Sequence, residues 1–210
     1  MRDEPCTSRR DKRRVAMLEA AHRLFLERGY GATTLAEVVK CSGGSLATLY
    51  DLFEGKEGLF RAVIAGQCVQ IAESLEQAEM ADLPPAQALR RFAEAIFDIV
   101  LSKDSIALLR QIIAEASQFP ELGRTLFATG VEVIHSKVDG YLRRQTARGL
   151  LDISEPRVAS NIFIEMVLQQ YRMRLLCGVP VSLTAEEKKA HLDRTLAVFL
   201  RAFGPAQRNP

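Results

Sequence analysis

The 210-residue sequence predicts an all-α protein, and three observations support this. Apolar residues recur at helical spacing along most of the chain, and no segment alternates apolar and polar residues with period two. Glycine, proline and capping residues divide these stretches into segments of helical length. The signals together predict nine helices and no sheet. With 48% hydrophobic and 26% charged residues, the composition is typical of a globular protein with a buried core.

The second helix has the clearest start signal. Thr34 and Glu37 have the spacing of a capping box, in which each residue's side chain accepts a hydrogen bond from the other's backbone amide. The first helix, with AA and LF at residues 20–25, therefore ends before Thr34. Ser42, Gly43 and Gly44 end the second helix within about two turns, because consecutive glycines have a high conformational entropy cost in a helix.

The third helix begins after Ser45 and covers residues 46–53. Leu49 and Phe53 lie one turn apart on one face, whereas Thr48 and Tyr50 lie on other faces. A helix, a short turn containing glycine and a second helix with short polar side chains form the helix-turn-helix signature. Residues 33–60 therefore predict a DNA-binding element whose second helix, at about 45–53, enters the major groove.

Six further helices follow, each bounded by a start or stop signal. The fourth begins at Lys56, and the residues up to Pro85 separate it from the fifth. Pro156 and the capping pair Thr184 and Glu187 start the last two. The predicted ranges are 56–80, 86–102, 104–117, 121–148, 156–177 and 185–204, with Gly130 and Gly140 as weak points of the seventh helix.

Residues 18–60 (LEAAHRLFLERGYGATTLAEVVKCSGGSLATLYDLFEGKEGLF) resemble the DNA-binding domain of TetR-type (TetR/AcrR) transcriptional regulators. The shared features are AA followed by LF, the GYGATT segment, SxATLYxxF in the recognition helix and KExLF in the fourth helix. The middle of the remaining chain is similar to the carboxy-terminal domain of the AefR-like branch. The resemblance implies a nine-helix TetR-like fold, with a three-helix DNA-binding domain at residues 1–55 and a helical ligand-binding and dimerisation domain at 56–210.

The resemblance also implies the function. The family's usual members are repressors that bind a palindromic operator as homodimers and are released by a small ligand. A twofold dimer presents two recognition helices about 34–36 Å apart, one turn of duplex DNA. The ligand would favour a dimer geometry that does not fit successive major grooves. We expect a small, mainly hydrophobic effector and no cofactor.

Family motifs also imply which residues contact DNA. Hydroxyl groups, the tyrosine and the lysine would reach phosphates or base edges, and the apolar pair would contact a thymine methyl group. Thr34 and Ser45 are helix caps whatever they contact, and Tyr50 also fits half-buried packing. The implied DNA contacts are Thr33, Thr34, Ser45, Leu46, Ala47, Thr48, Tyr50 and Lys56.

Three residues depart from the family pattern. Gly44 replaces an apolar residue of the turn, so we expect a looser turn there. Leu46 stands where a polar or basic side chain is common, which leaves few base contacts and increases the weight of DNA shape. Gly55 stands where serine more often caps the fourth helix.

Polar residues one helical turn apart on otherwise apolar helices predict a ligand pocket. Such residues also fit solvent exposure or mutual hydrogen bonding. The candidates, including apolar residues for the pocket wall, are Phe97, Gln111, Ile113, Glu115, His135, Asn161, Phe163, Glu165 and Gln169.

Apolar stripes on the last two helices predict a dimer interface in the form of a four-helix bundle. The same stripes also fit packing within one subunit, and periodicity does not distinguish the two; the family resemblance favours the interface. The predicted interface residues are Val158, Ile162, Met166, Leu192, Leu196, Phe199 and Phe203.

The net charge of +2 arises in residues 1–61, which hold eleven Lys and Arg against nine Asp and Glu. Five of these basic residues precede the predicted first helix, where they form either an arm that contacts DNA or a solvated terminus. They are Arg9, Arg10, Lys12, Arg13 and Arg14.

Four scattered cysteines, Cys6, Cys41, Cys68 and Cys177, predict neither disulfides nor a zinc site. One alternative is a DNA-binding protein switched by oxidation of Cys41, beside the turn, or of Cys6, in the arm. The other is that Cys41 and Cys68 are small buried side chains, which we favour.

Other function classes have little support in the sequence. The three histidines, His22, His135 and His191, lack metal-ligand spacing and a nucleophile motif, so an all-helical enzyme is a remote alternative and no metal or catalytic residue is predicted. No apolar run reaches the roughly 20 residues of a membrane span, and the amino terminus has no apolar signal segment. These features predict a cytoplasmic protein without a membrane partner.

Overall fold

The computed structural model describes residues 8–76 and 83–205, and the side chains of residues 67–76 and of Gln169 lie outside this description. The described residues contain helices and no strand, which confirms the predicted all-α class. The helices are α1 Arg9–Ala32, α2 Leu35–Ser42, α3 Leu46–Phe53, α4 Lys56–Glu76, α5 Pro85–Val100, α6 Lys103–Glu115, α7 Pro120–Thr125, α8 Glu132–Ala147, α9 Pro156–Leu176 and α10 Ala185–Phe203.

The described part of the chain contains ten α-helices where the sequence predicted nine. The additional one comes from the predicted seventh helix, in which a π-helical segment, Leu126–Val131, separates α7 from α8. In a π-turn each backbone hydrogen bond spans one residue more than in an α-helix. Gly130, one of the two predicted weak points, lies in this segment. The predicted end of the fourth helix, at residue 80, lies outside the described residues.

The first helix starts earlier than the sequence predicted. Ser8 caps it through a capping box: the Asp11 amide donates to Ser8 Oγ (3.1 Å) and the Ser8 amide donates to Asp11 Oδ2 (3.2 Å). The basic residues from Arg9 to Arg14 therefore lie on the first turns of α1, and the expectation that they precede the helix was wrong. The capping box was missed because the apolar pattern begins only at Met17.

The chain divides into two compact units. The first consists of Met1–Gly66 and Ala107–Thr129, and the second of Gln67–Ile106 and Gly130–Pro210. Helices α1, α2 and α3 lie in the first unit, whereas α5, α8, α9 and α10 lie in the second. The predicted domain boundary at residue 55 stays a prediction.

The core of the first unit forms around one face of α1. Its buried residues follow helical spacing, and they share the interior with Val38 of α2, Leu49 and Phe53 of α3, and Leu59 and Phe60 of α4. Three aromatic rings, Phe25, Tyr30 and Phe60, have centroids 5.3–5.6 Å apart, and Phe119 packs edge-on against Tyr30 at 5.4 Å. This cluster joins α1, α4 and the residues after α6.

The core of the second unit is an apolar cluster from α5, α8, α9 and α10. Aromatic pairs join these helices: Phe163 of α9 lies 5.1 Å from Phe199 of α10, and Phe92 of α5 lies 5.5 Å from Tyr141 of α8. Burying such side chains contributes about 1.5–3 kcal/mol each. The packing of these four helices therefore supplies much of the unit's stability.

A substitution in this core should lower stability strongly. Phe163→Ala removes a fully buried ring packed on Phe199, and we expect a loss of about 3–5 kcal/mol in the free energy of unfolding. Phe127→Ala is the matched control, because the Phe127 side chain is 64% exposed; its loss should stay within about 0.5 kcal/mol. Urea denaturation followed by circular dichroism measures both. Equal losses would contradict the described packing.

Candidate nucleic-acid interface

Helices α2 and α3 are joined by a tight turn formed by Gly43, Gly44 and Ser45. Gly43 ends α2 by donating its amide to Val39 O (2.9 Å), and both glycines have positive φ, 75° and 106°. At Gly44 a Cβ atom would lie 3.0 Å from the Met17 methyl group. Met17 of α1 thus occupies the space that an apolar side chain at position 44 would take. The turn that we expected to be loose therefore packs against α1.

Hydroxyl side chains fix the start of both helices. Thr34 Oγ1 accepts from the Glu37 amide (3.3 Å) and the Thr34 amide donates to Glu37 Oε2 (2.9 Å), which is the predicted capping box. Ser45 Oγ accepts from the Thr48 amide (3.1 Å) and lies 3.0 Å from the Thr48 hydroxyl. Thr34 and Ser45 are therefore caps, and both remain exposed.

Helix α3 buries one face and exposes the other. Leu49 and Phe53 are buried, whereas Leu46, Ala47 and Tyr50 are exposed, Tyr50 to 53%. The exposed side thus combines two apolar side chains with a phenol and the hydroxyls of the first turn. Such a surface can contact thymine methyl groups and donate hydrogen bonds to phosphates.

Thr33 does not fit its predicted contact with DNA. Its side chain is only 1% exposed, and its hydroxyl lies 2.8 Å from Gly29 O and 3.2 Å from Leu24 O, to which it donates. The hydroxyl satisfies carbonyl groups of α1 where the helix is interrupted. The family motif places Thr33 next to the cap residue Thr34, and sequence adjacency did not reveal that only one of the two is exposed.

Lys56, at the start of α4, is held by the first unit. Its ammonium group donates to Gly31 O (3.1 Å) and lies 4.5 Å from the centre of the Tyr30 ring. Partial burial lowers the pKa of Lys56 below its usual value, and the negative charges of Glu115 and Glu37 oppose that shift. To contact a phosphate, as the sequence predicted, the Lys56 ammonium group would therefore have to leave Gly31 O and the Tyr30 ring.

Glu37 carries the main electrostatic interaction of the exposed surface near α2. Its carboxylate accepts from Thr34 and pairs with Arg28 Nη1 (2.6 Å). Hydrogen bonds from Thr34, and then the charge of Arg28, lower the pKa of Glu37 below its usual value of 4.5. The capping box is thus strongest while Glu37 is ionised.

The predicted ligand residues are divided between the two compact units. Gln111, Ile113 and Glu115 belong to the first unit. Ile113 is exposed, and the Glu115 carboxylate accepts from the Tyr30 amide (2.8 Å) and the Gly31 amide (2.5 Å). Glu115 thus has a structural contact that its spacing from Gln111 did not indicate.

The other ligand candidates lie in the second unit. Phe97 and Phe163 are core residues, and the side chain of Gln169 lies outside the described residues. His135 and Asn161 interact through a side-chain hydrogen bond, and Glu165 pairs with Arg172 (2.7 Å). Of the candidates, His135, Asn161 and Glu165 are thus brought into one neighbourhood on α8 and α9.

His135, on α8, has an incompletely hydrogen-bonded ring. Its Nδ1 atom is buried without a hydrogen-bond partner in the described part of the chain. Burial and then the charge of Arg157 lower the pKa of His135, whereas Glu132, Glu165 and the hydrogen bond with Asn161 raise it. A buried ring nitrogen without a partner is suited to exchange a hydrogen bond with a polar group of a ligand.

The predicted dimer residues separate into two groups. Leu192, Leu196 and Phe199 are buried in the core of their own unit, so their inclusion in the interface was wrong. Val158 and Ile162 are exposed, and Met166 and Phe203 are half-buried. The apolar pattern of α10 reflects packing within the chain. The exposed Val198 of α10 was missed because it lies outside the predicted stripe, whereas Met173 of α9 was missed although it lies on the same face as Val158 and Ile162.

Cys41 and Cys177 are exposed thiols, whereas Cys6 and the Cys68 side chain lie outside the described residues. The expectation that Cys41 is buried was therefore wrong. Within residues 8–76 and 83–205, no group of histidine, cysteine or acidic side chains has the arrangement of a metal site. None of the helices described is long and apolar enough to span a membrane.

A capped helix-turn-helix with an exposed second helix defines a DNA-binding class of protein, and the sequence matches identify the family. Residues 17–63 match the tetR family of bacterial regulatory proteins, and residues 87–205 match the carboxy-terminal domain of AefR-like transcriptional repressors. The second match covers more than half of the chain, which therefore belongs to the TetR family of transcriptional regulators. These are DNA-binding proteins and not enzymes.

Individual relatives agree with this assignment. The Escherichia coli transcriptional repressor ComR is 39% identical over 95 residues, 45% of either chain. YvkB of Bacillus subtilis, an uncharacterized HTH-type regulator, is 25% identical over 193 residues, 89% of this chain and 95% of YvkB. This chain thus spans less than half of ComR but nearly all of YvkB.

Solved structures show the same fold. A TetR-family regulator from Mesorhizobium loti has a TM-score of 0.81 and 24% identity, covering 94% of this chain and 99% of its own. The flavonoid-responsive regulator FrrA has a TM-score of 0.76 and 29% identity, covering 92% of this chain and 98% of its own.

The Glu37 capping box predicts a pH-dependent contribution to stability. Because the pKa of folded Glu37 is lowered, its contribution is complete above the usual pKa of 4.5 and is lost as pH falls through the lower pKa of the folded protein. We expect Glu37→Gln to be less stable than the unsubstituted protein at pH 7, with the difference shrinking below pH 4.5. Urea unfolding across this range measures it, and a pH-independent difference would contradict the assignment.

Proposed function

We propose that this protein is a transcriptional repressor that binds a palindromic operator as a homodimer and is released by a small, mainly hydrophobic ligand. The observation that carries the proposal is the exposed face of α3, with Leu46, Ala47 and Tyr50 presented on a helix whose start is fixed by Ser45. The domain division at residue 55 and a cytoplasmic location belong to the same proposal.

The DNA surface extends beyond α3. Thr34, Ser45, Thr48 and Tyr50 supply hydroxyl groups near the starts of two helices, where backbone amides also favour phosphate. The basic residues on the first turns of α1 are exposed or half-buried. They add the phosphate attraction that the uncharged reading face lacks.

The homodimer would form through exposed and half-buried residues of α9 and an exposed residue of α10. Val158, Ile162, Met166 and Met173 follow one another at intervals of four, four and seven residues, which places them on one face of α9. Val198 adds an exposed apolar side chain on α10. A twofold axis through this face would give an isologous four-helix interface.

The ligand would be bound in the second unit near His135, Asn161 and Glu165. Polar groups beside an apolar core are suited to a mainly hydrophobic molecule with a few hydrogen-bonding groups. FrrA is named for its response to flavonoids, which are molecules of this general character. We extend only that broad class of ligand to this chain.

The exposed thiol of Cys41, at the end of α2, supports a second candidate, release of DNA by oxidation. The two candidates differ in what releases bound DNA. Under the oxidation candidate, peroxide releases DNA, thiol restores binding, and Cys41→Ser is insensitive.

Selection from a pool of random duplexes tests DNA recognition. We expect the full chain to enrich an inverted repeat with half-sites about one helical turn apart. Leu46→Glu should abolish enrichment, because an exposed carboxylate on α3 repels phosphate, whereas Leu150→Glu, a matched change at an exposed leucine outside α3, should not. Absence of any enriched motif, or a motif without twofold symmetry, would contradict the proposal.

Light scattering after gel filtration tests the interface. Ile162, 41% exposed, lies on the proposed face, so Ile162→Glu should place charges within an apolar contact and give a monomer. Ile113→Glu, at an exposed isoleucine of α6, is the matched control and should remain dimeric. A dimeric Ile162→Glu protein, or dissociation by Ile113→Glu instead, would place the interface elsewhere.

A further inference from the structure

Helix α1 is interrupted near its end, and a carboxylate from α6 occupies the interruption. Gly29 has φ 83° and ψ 167°, outside helical values. The amides of the next two residues donate to the two oxygens of Glu115: Tyr30 N to Oε1 (2.8 Å) and Gly31 N to Oε2 (2.5 Å). All of these residues belong to the first compact unit.

The chemistry of this contact is that of an anion at the start of a helical turn. A break in a helix leaves the following amides without their usual carbonyl acceptors. A carboxylate that accepts from two such amides makes charge-assisted hydrogen bonds, which are stronger than those between neutral groups. Glu115 therefore replaces the acceptors that the interruption at Gly29 removes.

Gly29 and Gly31 leave the space that the Glu115 carboxylate requires. A Cβ atom at Gly29 would overlap the Glu115 carboxylate, and one at Gly31 would lie 3.0 Å from both Glu115 Oε2 and the Phe119 ring. Side chains at either position would thus push Glu115 away. The two glycines of the GYG sequence leave the space in which the carboxylate and the Phe119 ring lie.

Residues 29–33 also contact or directly precede the first residues of α2 and α4. Gly31 O accepts from Lys56 at the start of α4, and Gly29 O accepts from the buried Thr33 hydroxyl. Thr33 directly precedes Thr34, the cap of α2. A continuous set of contacts therefore runs from Glu115 to the first residues of α2 and α4.

We propose that Glu115 is a positioning residue for DNA recognition: it fixes the Gly29-Tyr30-Gly31 turn and, through Thr33 and Lys56, the placement of the helix-turn-helix. The proposal rests on the proposed DNA-binding function and replaces the ligand contact expected for Glu115. Glu115 is the last residue of α6, which begins at Lys103 in the second unit.

Glu115→Gln is the most direct test, because it keeps the size of the side chain and replaces one acceptor oxygen by a donor. In fluorescence anisotropy with the duplex selected by the unsubstituted protein, we expect about tenfold weaker affinity, which corresponds to about 1.4 kcal/mol. Affinity for a scrambled duplex should fall much less, since the basic residues on the first turns of α1, which supply sequence-independent phosphate attraction in the proposed function, are not touched. Glu27→Gln, at an exposed carboxylate of α1, is the matched control and should leave both affinities unchanged.

Hydrogen exchange tests the contact without DNA. In the full chain, the amides of Tyr30 and Gly31 should exchange faster in Glu115→Gln than in the Glu27→Gln control. Gly31→Ala approaches the same contact from the other side and should weaken specific binding similarly. The double variant should bind specific DNA only slightly more weakly than either single variant, because both substitutions disrupt the same interaction. Circular dichroism is the control for folding of each variant. If Glu115→Gln does not fold, Gly31→Ala tests the same contact.

The outcomes separate this inference from the proposed function. If the unsubstituted protein selects no DNA, the proposed function fails, and unchanged exchange at Tyr30 and Gly31 would show independently that Glu115 does not hold the turn. If selected DNA is bound equally well by Glu115→Gln, the positioning role is overturned while the proposed function stands. Equal losses for the selected and scrambled duplexes would also overturn it, because they would indicate a general loss of binding.

Discussion

The burial of Leu49 and Phe53 is the interaction on which the proposed DNA-binding surface depends. Helix α3 has only eight residues, and isolated helices of that length are unstable in water. Its two buried side chains lie in the core formed around α1. Its exposed residues do not contribute to that core. Ser45 and the glycine turn then set where the helix begins. The orientation of the exposed face of α3, the proposed reading face, is therefore a property of the whole first unit.

Local signals predicted the features that depend on neighbouring residues. The capping pair at Thr34 and Glu37, the glycine turn and the buried positions of α3 follow from spacing alone, and the structure contains all three. These features are encoded within about four residues, so their physical cause is visible in the sequence. The start of α1 at Arg9 was also local, but its charged first turns hid the capping box at Ser8.

Features that depend on distant residues could not be predicted in the same way. The filling of the space at Gly44 by Met17 and the contact of Glu115 with Tyr30 both join parts of the chain that spacing does not relate. The apolar stripe of α10 is a similar case, because packing within a subunit and between subunits requires the same periodicity. Which neighbour covers an apolar face is decided only by the tertiary structure.

The separation of the two faces of α3 also has an evolutionary consequence. Leu46 and Ala47 are exposed and do not cap the helix, so substitutions there would change the proposed recognition surface at little cost in folding free energy. An arginine at either position would introduce a guanidinium that favours guanine over the thymine methyl group. Descendants of this protein could thus move to new target sequences by single substitutions while the scaffold beneath the helix stays the same.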